Sequence, residues 1–321
     1  MEHVNCDLCG SSVYELYYRD LVNCQNKDKK FNIVKCKNCG LVYLNPRPDN
    51  NEINKYYHDD YYSFRQLDRK LKGFYPLFDR IKDKIREATF SYYYGSFDQS
   101  KTFWSRKIEQ GLALIGRRRF ISAPHNIRKG KILDVGCGDG LFIYPLKELG
   151  WQVYGLEIND EAAQRARARG LNVKTLDLLD SDFPDDFFDV VRMLSVLEHL
   201  HHPSKYLKKA YKILKPGGYL IIETPNIESL ASKIFGKSWA GLDVPRHLYH
   251  FNDKTLKKII SNNGFQIKKL FFKSVGTIAS SITQSKFSKF LIIITAPFDF
   301  ITDLFKMGDC IVIFAQKENN I

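Results

Sequence analysis

Residues 131–141 read KILDVGCGDGL, and a second apolar run, WQVYGL, leads to Glu157. The order is an apolar strand, a glycine-rich turn, a helical segment and a second strand that ends in an acid. Gly136, Gly138 and Gly140 allow the backbone to bend tightly and to approach a ligand. The acid at the end of the second strand can accept hydrogen bonds from ribose hydroxyls. This pattern is typical of an open α/β sheet that holds an adenosine-containing cofactor.

The glycines alone also fit dinucleotide-binding folds, so the neighbouring segments decide the class. Asp134 stands at the end of the first strand, and TLDLLD further along carries Asp177. FFDVVRMLSVLEHLHHP looks like a fourth strand with its loop, and LKPGGYLIIETPN looks like a turn and a fifth strand. This ordered set, over residues 131–272, resembles the class I S-adenosylmethionine-dependent methyltransferases.

The resemblance implies S-adenosylmethionine as the cofactor, with Asp177 bordering the adenine. The cofactor-binding residues that it implies are Asp134, Gly136, Cys137, Gly138, Gly140, Glu157, Ile158, Asp177, Leu178 and Leu194. A non-catalytic binding module that keeps this fold is an alternative. The intact glycines and Glu157 favour an enzyme over that alternative.

Four of the seven cysteines form two pairs with the same spacing, and a glycine follows each pair. These cysteines are Cys6, Cys9, Cys36 and Cys39. Two thiolates two residues apart can reach one tetrahedral Zn²⁺, whereas two disulfides would need an oxidising compartment. The N-terminal segment MEHVNCDLCG is polar and does not resemble a secretion signal, so we expect zinc and a cytoplasmic protein. A zinc ion with four thiolates has no open position, so its expected role is structural.

The cofactor-binding region alternates strands and helices, which predicts a parallel sheet with helices on both faces. The predicted strands are 132–135, 152–156, 172–175, 189–194, 219–223, 265–272 and 310–315, and the predicted helices are 141–149, 160–169 and 204–214. In the resembled fold the last two strands pair antiparallel at one edge. The predicted fold class is therefore α/β, a doubly wound, mostly parallel, seven-stranded Rossmann-like methyltransferase sheet, preceded by a small zinc-ribbon-like module and a helical linker or lid.

Composition divides the chain into three parts. We expect a zinc-ribbon-like module at 1–50, a basic and aromatic-rich helical linker or lid at 51–125, and the cofactor-binding domain at 126–321. The longest apolar run, FLIIITAPF at 290–298, is too short to span a bilayer. It lies in an insertion at 273–307, where the stretch FLIIITAPFDFITDLF is expected to form one or two short apolar helices. Core packing or a dimer contact is its expected role, and peripheral contact of 287–305 with the inner face of the membrane is the alternative.

The formal net charge of +13 is concentrated in one segment. Residues 65–130 contain sixteen Lys and Arg residues against six Asp and Glu residues. A solvated helical face explains this excess, and so does an anionic partner such as a nucleotide-sugar pyrophosphate, an anionic glycolipid, a membrane surface or RNA. The sequence leaves both explanations open.

Two loops at the carboxyl ends of predicted strands carry histidines. His199 follows the fourth strand, and His247 lies in WAGLDVPRHLYHF after the fifth. Methyl transfer to oxygen benefits from a general base, so His247 is the preferred catalytic residue and His199 the second choice. A structural or solvated role is an equally open explanation for each histidine.

The second histidine loop resembles a segment of one methyltransferase subgroup that also carries an N-terminal CxxC…CxxC module. Members of that subgroup are often linked with the modification of surface polysaccharides or of secondary-metabolite sugars. The resemblance implies methylation of a small molecule or glycoconjugate, at a sugar hydroxyl or at a carbon of a keto-sugar.

An RNA methyltransferase is the competing hypothesis. A zinc ribbon, a basic helical segment and exposed aromatic residues would suit RNA. Against it, the loop after the fourth strand reads SVLEHL and lacks the Asn/Asp-Pro-Pro-aromatic tetrapeptide of many enzymes that methylate base nitrogens. A small-molecule acceptor is therefore preferred.

Overall fold

The computed structural model describes residues 1–22, 29–57, 84–89, 91–92, 102–120, 129–274, 302 and 305–318. The chain divides into two compact units, of which unit 1 comprises residues 1–58 and 178–321 and unit 2 comprises residues 59–177. Most of the predicted linker and of the predicted insertion lies outside the described residues, and so does the candidate membrane-contact region 287–305 apart from Thr302 and Phe305. The three predicted domain boundaries stay predictions.

The strands are β1 (Tyr14–Val22), β2 (Lys30–Cys36), β3 (Val42–Leu44), β4 (Lys131–Val135), β5 (Gln152–Leu156), β6 (Asn172–Lys174), β7 (Phe188–Leu194), β8 (Leu214–Pro225), β9 (Tyr249–His250), β10 (Phe265–Lys273) and β11 (Cys310–Lys317). The helices are α1 (Phe103–Phe120), α2 (Tyr144–Glu148), α3 (Asp160–Ala168), α4 (Pro203–Ile213), α5 (Leu230–Phe235) and α6 (Asp253–Asn262). Single 3₁₀ turns lie at Ile53–Tyr56, Leu197–His199, Gly236–Ser238 and Ala240–Leu242.

In unit 2, β4, β5 and β6 form a parallel array in that order. Asn159 begins α3 because its side chain accepts a hydrogen bond from the Ala162 amide at 2.8 Å. Helix α2 begins later than predicted, at Tyr144 rather than residue 141, and Pro145 lies in its first turn. Proline has no backbone N–H and a fixed φ, so it fits the first turn of a helix and not its interior.

In unit 1, four strands form the main sheet in the order β10-β11-β8-β7. Strands β7 and β8 are parallel, β11 runs antiparallel to β8, and β10 runs antiparallel to β11, so the predicted antiparallel edge is confirmed. Strand β8 starts at Leu214, earlier than predicted, because Leu214 pairs with Phe188 before an irregularity in register. The described residues contain the seven strands of the predicted fold class, four in unit 1 and three in unit 2, and they are mostly parallel as predicted.

Unit 1 also contains a four-stranded antiparallel sheet in the order β1-β2-β3-β9. Its first three strands come from the N-terminal cysteine region, and its fourth comes from the histidine loop that follows β8. Val42 pairs with His250, and Tyr43 pairs with Tyr249. The N-terminal segment and the histidine loop are therefore parts of one sheet, which we call the ribbon sheet.

The core of unit 1 lies on both faces of its main sheet. Leu220, Ile221 and Ile222 of β8 are all fully buried, as expected of a strand that is covered on both sides. In α6, Asn252 and Thr255 form a reciprocal capping box that fixes the start of the helix. Among the described residues, no helix has both the length and the apolar character needed to cross a membrane.

Candidate functional site

The glycine turn of unit 2 follows β4 directly. Gly136 and Gly138 have φ values of 68° and 56°, a region in which side chains other than glycine are strained. The amides of Gly136 and Cys137 donate to the Leu156 carbonyl at 2.8 and 3.1 Å. These bonds fasten the turn to the end of β5, which carries the predicted ribose-binding acid.

The Glu157 carboxylate is buried and held at both oxygens. Oε2 accepts from the Gly138 amide at 2.8 Å, and Oε1 accepts from the Asn159 amide at 2.9 Å. Burial raises the pKa of the Glu157 carboxyl, and the amide hydrogen bonds offset part of that rise. Each carboxylate oxygen has a second lone pair, so the anchored group can still accept bonds from a ligand.

Two other glycines make room for the packing beneath the turn. A Cβ at Gly140 would lie 2.2 Å from the Leu171 Cδ1 and 3.2 Å from the Ala166 Cβ. A Cβ at Gly155 would lie 2.7 Å from the Cys137 sulfur. The glycine at position 140 thus permits close approach of the turn to α3, and Cys137 is a buried packing residue.

The remaining predicted cofactor residues differ in exposure. Asp134 is buried, Asp177 is half-buried and Ile158 is mostly exposed in unit 2. Leu178 is buried and Leu194 is half-buried, and both belong to unit 1. An exposed apolar residue directly after Glu157 is available for contact with a flat apolar group such as a base. Their binding roles stay predictions.

The four predicted zinc ligands lie together in unit 1. The sulfurs of Cys6 and Cys39 are 3.4 Å apart, those of Cys9 and Cys36 are 3.5 Å apart, and all four lie within 4.8 Å of one another. These distances exceed a disulfide bond of about 2 Å. They approach the spacing of about 3.8 Å that four sulfurs at about 2.3 Å from one tetrahedral ion require.

The turns at the two cysteine pairs are equivalent. The Gly10 amide donates to the Cys6 carbonyl at 2.8 Å, and the Gly40 amide donates to the Cys36 carbonyl at 2.9 Å. Both glycines have positive φ values, 73° and 78°. The repeated turn explains why each CxxC pair is followed by glycine, and the cysteines fit a metal ion on geometry and on ligand chemistry.

The two histidine loops of unit 1 meet. The Leu248 amide donates to the Glu198 carbonyl at 2.8 Å, which joins the loop after β8 to the 3₁₀ turn after β7. The rings of His199 and His247 lie edge to face with centroids 4.7 Å apart. The structure therefore brings together the two histidines that the sequence offered as catalytic candidates.

Each ring is oriented by a backbone carbonyl. Nδ1 of His247 lies 2.9 Å from the Gly241 carbonyl oxygen, and Nδ1 of His199 lies 3.1 Å from the Arg246 carbonyl oxygen. The Tyr57 hydroxyl also lies 2.9 Å from Nδ1 of His199. Burial lowers the pKa of His199 to about 3 and lowers that of His247, so both rings are neutral at pH 7.

Glu198 and Asp243 add acids to this histidine cluster. Glu198 has 0% exposure, and burial raises its pKa to about 8. Asp243 forms an ion pair with Arg246 and lies 3.8 Å from Nε2 of His247. Sequence reasoning named the neighbouring histidines but assigned no role to these acids. In the sequence, Glu198 could have been identified from its position directly before His199; nothing comparable marks Asp243.

The other two histidines of the loop after β7 have different surroundings. Nε2 of His201 lies 2.9 Å from the Pro48 carbonyl oxygen. Because a carbonyl oxygen can only accept, this ring nitrogen is the donor. His202 is exposed.

Arg47 donates to the His201 carbonyl at 3.0 Å and to the Tyr249 hydroxyl at 2.9 Å, and it is almost fully buried. These contacts tie the N-terminal segment to both loops.

Comparison with known proteins shows the family. The profile described as "Methyltransferase domain" matches residues 104–270, which is more than half of the chain. The chain belongs to this family of methyltransferase domains.

Individual relatives cover less of the molecule. The ubiquinone biosynthesis O-methyltransferase of Xanthomonas oryzae pv. oryzae is 29% identical over 147 residues, which are 43% of this chain and 61% of that protein. The mitochondrial ubiquinone biosynthesis O-methyltransferase of Mus musculus is 32% identical over 155 residues, 43% of this chain and 42% of that protein. The chain thus spans less than two thirds of the length of these curated relatives.

Among solved structures, an S-adenosylmethionine-dependent methyltransferase from Thermotoga maritima, described as a possible histamine N-methyltransferase, is similar with a TM-score of 0.47. It is 22% identical, and the similarity covers 67% of this chain and 97% of that chain.

Proposed function

We propose that the chain transfers the methyl group of S-adenosylmethionine to an oxygen of a small-molecule acceptor. The observation that carries the proposal is the buried Glu157 carboxylate, fixed to the Gly138 amide of the glycine turn. An anchored acid beside a turn of positive-φ glycines fits an adenosine-containing group. Membership of the methyltransferase-domain family supports S-adenosylmethionine over a dinucleotide.

The proposed cofactor contacts are made by the turn and by the residues around it. Glu157 would accept hydrogen bonds from ribose hydroxyls, and Asp177 would border the adenine. Asp134, Gly136, Cys137, Gly138, Gly140, Ile158, Leu178 and Leu194 complete the proposed set. S-adenosylmethionine, when bound, supplies an electrophilic methyl group on a sulfonium.

His247 is the proposed group that removes the acceptor proton, with His199 as the second choice. The hydrogen bond between Nδ1 of His247 and the Gly241 carbonyl leaves the lone pair on Nε2. A neutral ring with a free Nε2 lone pair can take a proton from a hydroxyl. Methylation at the carbon of a keto-sugar would need the same proton removal, so it stays a variant of the proposal.

The acceptor class rests on two supports. The relatives named as ubiquinone biosynthesis O-methyltransferases favour an oxygen of a small molecule. The sequence resemblance to the CxxC-containing subgroup favours a sugar hydroxyl, as a free nucleotide sugar or as a glycoconjugate. The excess of positive charge over residues 65–130 would suit an anionic acceptor.

Isotope transfer into a product tests this function. The full chain is incubated with methyl-deuterated S-adenosylmethionine and with separate nucleotide-sugar, glycolipid and quinone-precursor fractions. A product that is heavier by one deuterated methyl group, found by mass spectrometry with wild type and not with Gly138→Arg, is expected. Label that enters none of the fractions, despite calorimetric binding of the cofactor, would refute the acceptor class.

The proposed role of the cysteine group is structural zinc binding by Cys6, Cys9, Cys36 and Cys39. Four thiolates leave no open position, so the ion would cross-link the two CxxC turns of the ribbon sheet. This role does not depend on the chemistry of the acceptor.

RNA as the acceptor remains the alternative. Phe103 and Trp104 at the start of α1 are exposed beside Arg106 and Lys107, which is a surface that RNA could use. Binding to bulk RNA that weakens steeply with salt would favour it, and no retention of RNA at low salt would exclude it.

A further inference from the structure

The cluster around the two loop histidines has the composition of a metal site. Among the described residues, one ligand atom from each of Glu198, His199 and His247 lies within 4.8 Å of the other two. All three residues belong to unit 1 and come from different positions in the chain than the four cysteines.

The hydrogen bonds of the two histidine rings indicate which nitrogen of each ring carries the proton. A backbone carbonyl can only accept a hydrogen bond, so each Nδ1 that faces one must carry the proton. This applies to His247 with the Gly241 carbonyl and to His199 with the Arg246 carbonyl. The Tyr57 hydroxyl, which also faces Nδ1 of His199, can accept from the same N–H. The Nε2 lone pair is then free on both rings. Histidines that bind metals typically donate their other ring N–H to a carbonyl or carboxylate in this way.

The carboxyl group of Glu198 supports a metal ion at this cluster independently of the two histidines. Its side chain is fully buried, and neither carboxyl oxygen makes a hydrogen bond of normal geometry among the described residues; the Thr224 hydroxyl lies near it and also lacks such a bond. A buried carboxylate without a partner costs several kcal/mol, and proteins avoid that cost by keeping the carboxyl protonated, by pairing the charge or by coordinating a metal. The nearby acid Asp243 already pairs with Arg246, so that arginine is not available to neutralise Glu198.

We propose that Glu198, His199 and His247 bind a divalent transition-metal ion through one carboxylate oxygen and two imidazole Nε2 atoms. Imidazole and carboxylate ligands together suit Zn²⁺ and Fe²⁺. Three protein ligands leave coordination positions open, whereas four cysteines leave none. The ion at this cluster is therefore of the type that binds a further oxygen ligand.

This inference holds whether or not the chain transfers a methyl group, because it concerns the metal alone. It also changes the role of the two histidines. With an ion on Nε2, they act as ligands, and the loss of His247 removes the ion together with any activity. A histidine that served only as a base could be replaced with no change in metal content.

Zinc stoichiometry of the full chain tests the inference. The purified protein is stripped with a chelator, reloaded with Zn²⁺, desalted and measured by mass spectrometry of the metal. Wild type should hold two ions per chain, and Glu161→Gln, a change at an exposed position on α3, should also hold two. Glu198→Gln should hold one and should bind the second Zn²⁺ at least tenfold more weakly in a calorimetric titration.

Cys36→Ser keeps the test decisive if Glu198→Gln fails to fold. This variant should retain one ion, held by the histidine cluster, and Cys36→Ser combined with His247→Ala should retain none. One ion in wild type that Cys36→Ser abolishes would overturn the proposal. Two ions in both Glu198→Gln and His247→Ala would overturn it as well.

Discussion

The carboxylate of Glu157 accepts a hydrogen bond from the backbone amide of Gly138 at 2.8 Å, across nineteen residues of sequence. The glycine turn and the acid are thus one physical unit. The Gly138 amide positions the Glu157 carboxylate, and the carboxylate in turn accepts the hydrogen bond of that amide. Residues that bind the cofactor in our proposal also stabilise each other in its absence.

Glu157→Gln should weaken S-adenosylmethionine binding by roughly tenfold or more, which corresponds to about 1.4 kcal/mol. The amide of glutamine has one acceptor atom in place of two, so it cannot keep both backbone bonds and serve a ribose. Isothermal titration calorimetry measures the change. Glu161→Gln, at an exposed position of α3, is the matched control and should bind as wild type does.

Gly140→Ala should lower the free energy of unfolding by roughly 2 to 4 kcal/mol. Its φ of 78° is strained for alanine, and the added methyl would overlap the Leu171 side chain. Gly111→Ala on α1 is the control, because nothing lies within 4 Å of its added Cβ. That change should be neutral or stabilise by up to about 1 kcal/mol. Urea unfolding of both variants decides, and equal stability would contradict the packing argument.

Arg47→Met should destabilise unit 1 by roughly 2 to 4 kcal/mol. The guanidinium is buried and donates to the Glu2 carboxylate, the His201 carbonyl and the Tyr249 hydroxyl. Methionine fills much of the volume but restores none of these bonds. Arg19→Met, at an exposed position of β1, should change stability by less than about 0.5 kcal/mol. Thermal unfolding followed by tyrosine fluorescence compares the two, and similar shifts would sink the argument.

Cys9→Ser should cost one zinc ion per chain, because serine supplies no thiolate for the proposed four-sulfur site. Cys310→Ala on β11 should keep full metal content, since Cys310 lies outside the four-cysteine group. Elemental analysis of purified protein measures both. A wild-type protein that holds no metal after reloading with Zn²⁺ would end the hypothesis of a zinc ribbon.

His247→Ala should reduce turnover far more than it reduces affinity for S-adenosylmethionine. Both proposed roles of this histidine, base or metal ligand, act on the acceptor and not on the cofactor. His202→Ala changes an exposed histidine of the neighbouring loop and should leave turnover close to that of wild type. Steady-state kinetics with the identified acceptor provides the comparison, and unchanged turnover in His247→Ala would place the chemistry elsewhere.

The parts of the fold that could be read from sequence are those set by local patterns. Strand β5 begins and ends where the alternation of residues predicted, and the edge strands β10 and β11 pair antiparallel as expected. The CxxC turns also follow from local spacing, because each pair and its glycine form one turn. Helix α2 was predicted too long because the effect of Pro145 on the helix start was not applied.

The relationships that sequence could not supply are those between distant loops. Nothing near Tyr249 or His250 indicates that these residues pair with β3, since the partner lies about two hundred residues earlier in the chain. The grouping of Glu198 with His247 depends on the Leu248-to-Glu198 backbone bond, which is visible only in the folded chain. Sequence could therefore name candidate side chains but not the set that acts together.

The pairing of β3 with β9 has a consequence for how the ribbon sheet and the histidine loop respond to a change in conditions. Folding of the cysteine segment and ordering of the loop share one set of backbone hydrogen bonds, so the two equilibria are thermodynamically linked. Loss of a metal ion from the four thiols, or oxidation of the thiols, would weaken the pairing of β3 with Tyr249 and His250. Oxidation or metal loss at the N-terminal cysteines would thereby alter the position of His247, which lies two residues before β9.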